Sequence, residues 1–214
     1  MAQQMTTARP TEDSQFPMSY DDFLALLGEG AHAEWVDGEA IVFHPPGTKN
    51  KRVSRLLYNL LGLFVEHFGL GEVFDAPYEM VLQPGKLSRE PDLLFVSREH
   101  ADRITAERLN GPADFVIEII SDSSVTRDRE TKFAEYQAAG ISEYWMIDPR
   151  PGRQRVRPFA LSPAGAYEPI HRNAAGRYHS AVLPGFWIDP AWLWQEPLPN
   201  TLSLLKQILA QDAL

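Results

Sequence analysis

The spacing of apolar side chains changes several times along this chain, and each change marks an element. After Lys49, the positions Val53, Leu56, Leu57, Leu60, Phe64, Val65 and Phe68 follow three- and four-residue steps and stop at Gly69. This predicts the longest helix, with one buried face. A shorter helix is predicted over residues 20–27, where Asp21 and Asp22 suit the positive end and Gly28 follows. Next, Asp37-Gly38 joins two strand-like arms in a hairpin pattern that Pro45, Pro46 and Gly47 close. Strands are predicted over 73–74, 78–82, 91–96 and 115–120, and the polar stretch 98–112 reads as a helix plus loop. Residues 128–139 predict a second helix, with Thr126 as its cap and Gly140 past its last turn. A strand over 143–147 follows, then a meander over 153–159, 167–171 and 178–182. The closing helix, 201–214, carries Leu202, Leu205, Ile208 and Leu209 on one face.

Strands in a run, flanked by long helices, with one strand leading through a helix into another over 115–147, indicate the α/β (α+β) class. The expected architecture is a mixed sheet with an N-terminal β-hairpin and a C-terminal strand meander. A ligand site is expected at the carboxyl ends of the crossover strands. Residues 1–15 read as a flexible tail and 16–214 as a single domain.

Composition narrows the chemistry. A hydrophobic content of 44% over 214 residues excludes wholesale disorder, and the absence of cysteine excludes disulfides, thiolate zinc sites and cysteine nucleophiles. It agrees with a reducing compartment, so the cytoplasm is the default expectation. The N-terminus has no apolar signal core, and no run approaches a membrane span, so no membrane partner is expected.

The net charge of −9 argues against a basic nucleic-acid footprint, yet residues 1–48 hold eight acids and one base and carry most of it. The remainder is close to neutral, with its bases bunched. Lys49, Lys51, Arg52 and Arg55 open the long helix, where the macrodipole disfavours cations, so either a bound anion or plain solvation explains them. Arg153, Arg155 and Arg157 alternate and would share one face of a strand, with Arg150 nearby.

Two acids interrupt apolar strands: Asp92 in Pro91-Asp92-Leu93-Leu94-Phe95-Val96, and Glu118 in Val116-Ile117-Glu118-Ile119-Ile120. Desolvating a charge there is costly, so each belongs at a strand end or in a cleft where something positive, such as a metal ion, meets it. Lys132 follows at the start of a helix. The six histidines show no metal-ligand spacing and read as structural or exposed, while Trp145, Trp187, Trp192 and Trp194 read as packing.

Taken together, Glu34-x-x-Asp37-Gly38, Pro45-Pro46, the Pro91–Val96 and Val116–Ser121 strands, the block from Lys132 through Tyr136 and Gly140 to Pro149, and Leu183-Pro184-Gly185-Phe186 resemble the Uma-type family of putative restriction endonucleases. The resemblance runs from about Ser19 to Trp194. It implies the restriction-endonuclease-like fold of the PD-(D/E)XK nucleases, a mixed sheet flanked by helices with an acidic pair coordinating Mg²⁺ (or Mn²⁺). Asp92 matches the Asp of that motif, Glu118 the (D/E), and Lys132 supplies a lysine displaced to the following helix. Ile120 stands where the wider superfamily has lysine, and Asn50 where many relatives have histidine.

The resemblance implies a metal-dependent endonuclease hydrolysing DNA phosphodiesters. Asp92, Glu118 and the Ile119 carbonyl would hold the metal, and Glu34 would join its shell or orient a ligand. Lys132 would orient or deprotonate water or neutralise phosphate charge, and Tyr136, one turn on, would buttress it. Lys49, Lys51, Arg52 and Arg55 are the candidate phosphate contacts. Structural alternatives stand beside these roles: Asp92 satisfying backbone donors, Glu118 pairing with a buried arginine, Lys132 as a surface lysine, Glu34 as a hairpin charge. The alternative function is a catalytically degenerate member of the fold that binds nucleic acid or protein. A homodimer through the C-terminal helix, around Leu205 and Leu209, is a further expectation.

Overall fold

The computed structural model describes residues 13–28, 32–43 and 47–210. His44, Pro45 and Pro46, residues 1–12 of the expected tail and the last four residues of the closing helix lie outside the described residues. In chain order the elements begin with β1 (Ser14–Pro17), α1 (Tyr20–Gly28), β2 (Ala33–Val36), β3 (Glu39–Val42) and α2 (Thr48–Phe68). Then come β4 (Gly71–Asp75), β5 (Glu79–Gln83), β6 (Leu87–Arg89), β7 (Leu93–Ser97), β8 (Arg108–Asn110) and β9 (Phe115–Ile119). A π-helical turn, Arg127–Thr131, leads into α3 (Lys132–Ala138), followed by β10 (Glu143–Asp148), β11 (Arg155–Leu161), β12 (Tyr167–Pro169), β13 (Tyr178–His179), β14 (Trp187–Ile188) and α4 (Thr201–Leu209).

The strands divide into two six-stranded mixed sheets and a small pair. The first sheet runs β1-β3-β2-β6-β5-β8, the second β12-β11-β10-β9-β7-β4, and β13 pairs with β14. In the second sheet β9 and β10 are parallel, joined by the π turn and α3 as the expected crossover, while β7 runs antiparallel to β9. The start of β7 therefore lies beside the end of β9, which brings residue 92 opposite residue 118.

Each central strand is buried on both faces, which is why it reads as a nearly continuous apolar run. Phe95, Ile117, Trp145 and Ile147 pack against Leu57, Leu60 and Phe64 of α2 and Leu204, Leu205 and Ile208 of α4. Leu94, Val96, Val116 and Met146 pack on the other side with Tyr136 of α3. By strict alternation between Ile117 and Ile119, Glu118 falls on this second face.

Several expectations change. Ser14 and Gln15 pair with Val42 and Ile41, so they belong to the first sheet rather than to a tail. The stretch 98–112 holds a short 3₁₀ segment and β8. Thr126 makes no side-chain cap. The meander continues through β12, but β13 turns away to pair with β14. Arg153 precedes β11, so only Arg155 and Arg157 alternate on that strand, and Arg150 is committed to Asp148 and Asp122. On the apolar face of α4, Leu205 and Ile208 are buried within the chain, Leu209 is partly buried and Leu202 is exposed. Among the described residues no helix is long and apolar enough to cross a membrane.

Candidate active site

A cavity of about 560 Å³ opens where the two sheets meet. Its wall includes Asp92, Glu118, Ile119, Asp128 and Lys132 from the second sheet and its crossover, His32 and Glu90 from the first, and Asn50, Lys51 and Arg55 from α2. Lys49 and Arg52 do not line it.

Lys132 Nζ lies 2.7 Å from Glu34 Oε1, 2.8 Å from Glu118 Oε1 and 3.8 Å from Asp128 Oδ1. Its side chain is 3% exposed and that of Glu34 is 0% exposed, which removes both the surface-lysine and the hairpin-charge alternatives. The Tyr136 hydroxyl donates to the same Glu118 Oε1 at 2.8 Å, one helical turn beyond Lys132. Glu118 thus pairs with a lysine rather than an arginine, and among the described residues its Oε2 receives no donor. Asp92 accepts the Ile119 N–H at 2.7 Å through Oδ2. The backbone-satisfying alternative is therefore realised for one of its two oxygens. The Ile119 carbonyl accepts from Asn50 Nδ2 at 3.3 Å, and the Ile120 carbonyl from the same nitrogen at 3.1 Å.

Negative charge exceeds positive charge here, and the proton affinities reflect it. Burial pushes Asp92 up to about 6. Burial likewise raises Glu118 to about 8 despite the neighbouring ammonium, with Asp128, Asp92 and Glu34 adding repulsion. Asp128 is raised for the same reason. Glu34 goes the other way: against burial, Lys132 and Arg89 hold it at about 2. Lys132, which burial alone would lower, is raised by Glu118, Glu34 and Asp128.

Some of these neighbours escape a reading of the sequence. Arg89 donates to Glu34 at 2.7 Å and grips Glu135 with two nitrogens at 2.7 and 2.6 Å, locking the first sheet to α3. Asp128 suits a helix dipole, but its four-residue spacing from Lys132 is the signal that it turns inward. His32, read as structural or exposed, stands on the cavity wall with Nδ1 2.8 Å from Glu90.

Oxygen-only donors of this kind are those a hard divalent cation takes, and Mg²⁺ is commonly held by one or two carboxylates. Among the described residues no three Asp, Glu or His side chains are grouped as a metal cage. The fit is that of a two-carboxylate site with an unmet Glu118 oxygen.

A family model described as "Uma2: Putative restriction endonuclease" matches residues 20–191. The chain belongs to this family. Its fold is shared by a solved structure titled as a putative nuclease belonging to DUF820 from Anabaena variabilis ATCC 29413, with a TM-score of 0.64 and 18% identity, covering 83% of this chain and 98% of that one. No curated protein matches. Membership in the family supports a nuclease and agrees with the two mixed sheets and the acid-lysine cluster between them.

Proposed function

We propose that the chain is a metal-dependent endonuclease hydrolysing phosphodiester bonds of DNA, with Asp92 and Glu118 holding Mg²⁺ or Mn²⁺. The observation that carries this reading is the pair of carboxylates on neighbouring antiparallel strands, both raised in proton affinity, at a cavity that also holds a buried ammonium. A bound divalent ion would supply Lewis acidity at the phosphate and lower the pKa of water. The Ile119 carbonyl, which accepts from Asn50, keeps a second lone pair with which it would join the ligand set.

The residues of the chain divide the remaining work. Lys132, held protonated by the carboxylates around it, acts as a fixed positive charge and donor towards the phosphate rather than as a base. Glu34 and Tyr136 fix where that ammonium and the Glu118 carboxylate point. Lys51 and Arg55, at the start of α2, offer phosphate contacts at the cavity wall.

The test is nicking of supercoiled plasmid with Mn²⁺ or Mg²⁺, abolished by EDTA and by Asp92→Asn. Calorimetry adds a readout independent of turnover: because burial and the neighbouring carboxylates raise the proton affinity of Glu118, metal binding there is expected to release protons. Titrations in two buffers of different ionisation enthalpy expose that release, and Glu118→Ala removes it. That no three Asp, Glu or His side chains form a cage among the described residues favours a second reading, a binding module on the same fold, which predicts no heat with millimolar Mg²⁺ and unchanged nucleic-acid binding in Asp92→Asn.

A further inference from the structure

Among the described residues, His32 is the one imidazole on the wall of the carboxylate cavity. Its Nδ1 lies 2.8 Å from Glu90 Oε1, whose side chain is 3% exposed, while the His32 side chain is 39% exposed. Glu90 is itself anchored: its carboxylate also accepts the Ala33 backbone N–H, and its own backbone N–H donates to Glu34 Oε1 at 3.3 Å. A buried carboxylate that takes the Nδ1 proton fixes the ring's tautomer and orientation and leaves Nε2 free, the arrangement by which a second group aims an acid–base imidazole. Nothing in the metal-and-lysine chemistry above uses this pair, and that chemistry leaves one need unmet: the departing alkoxide requires a proton.

We infer that His32 is a further catalytic residue, the general acid that protonates the leaving oxygen from Nε2, with Glu90 as its positioning residue. The inference rests on the phosphodiesterase reading above. Water oxygen bonds to phosphorus as the bond from phosphorus to the leaving oxygen breaks. The electron pair stays on that oxygen, which takes the Nε2 proton. The water's own surplus proton passes to solvent, and the neutral imidazole, still donating from Nδ1 to Glu90, is reprotonated from solvent. The hydrogen bond to Glu90 raises the ring's proton affinity, with Asp92 adding to it and burial and Lys51 opposing it.

A leaving group that needs no proton separates this role from general electrostatic help. Wild type and His32→Gln are compared with Mn²⁺ on supercoiled plasmid and on bis(p-nitrophenyl) phosphate, with melting curves confirming that both are folded. Expected is a loss on plasmid on the order of 10²-fold or more, the usual weight of general acid catalysis, and a loss at least about tenfold smaller on the aryl diester. Equal losses on both substrates, or none on plasmid, overturn the inference while leaving the nuclease reading in place. Wild type that cleaves neither overturns both. Independently of turnover, ¹⁵N spectra of the metal-free protein should show His32 Nδ1 protonated, with that signal weakened in Glu90→Gln; an unprotonated Nδ1 in wild type also overturns it.

Discussion

Lys132 touches two buried carboxylates and lies near a third, so deleting its charge strands them in a medium that solvates anions poorly. Breaking a buried pair in this way costs about 3–5 kcal/mol. Lys132→Met should lower the unfolding free energy by that amount in urea titrations, and its plasmid nicking should vanish. The carboxylates also set a pH dependence in metal-free protein. Glu118 rises from an ordinary 4.5 to about 8 on folding, so the native state keeps a proton the unfolded chain gives up, and stability drains away as pH climbs through that window. Glu34, held at about 2, contributes stability that is present above 4.5 and lost as pH falls toward 2. Glu118→Gln removes only the first effect. Relative to wild type, with EDTA present, it should gain stability between about pH 5 and about pH 9; parallel midpoint curves would contradict the assignment. At this scale the sequence exposes Asp92, Glu118 and Lys132 because charge is conspicuous in apolar runs. It hides the link from Glu90 to His32, because 58 residues separate partners whose meeting depends on β2 pairing with β6 in the first sheet.

Among the elements, β4 depends most on the identity of one residue. A Cβ on Gly71 would lie 2.0 Å from the Val96 carbonyl oxygen and 2.9 Å from Ser97 Cα, on the strand that β4 must pair with. Gly71→Ala should destabilise by about 2 kcal/mol or more, near the upper range for single substitutions. Gly62→Ala is the matching control. Within α2 the added carbon meets nothing within 4 Å, so helix propensity alone should stabilise by about 0.5–1 kcal/mol. Thermal melts of both variants decide the pair. Elements were legible in proportion to their burial: β7, β9, β10 and α2 announce themselves through apolar runs or helical spacing. Strand β1 does not, since all four of its residues are exposed, and β8 is three residues inside a polar stretch. The π turn before Lys132 has the same composition as a helical start, so the sequence offered a single helix there.

At the scale of the whole molecule, most of the surplus negative charge belongs to the first 48 residues, which supply α1 and three strands of the first sheet. Cations at the start of α2 stand at the cavity wall instead, and so a net charge of −9 does not describe what an approaching phosphate would meet. Class and crossover were readable from the order of patterns. The division into two sheets was not, because short strands reveal their burial but not their partners. The passage between those sheets is short: β6 ends at Arg89 and β7 begins at Leu93, and within those few residues Arg89 grips Glu34, Glu90 meets His32, and Asp92 meets the end of β9. Side chains along extended backbone alternate in direction, so parity here matters as much as identity. Losing a single codon between Ser88 and Leu93 would leave every chemical group in the gene and turn them toward the wrong walls.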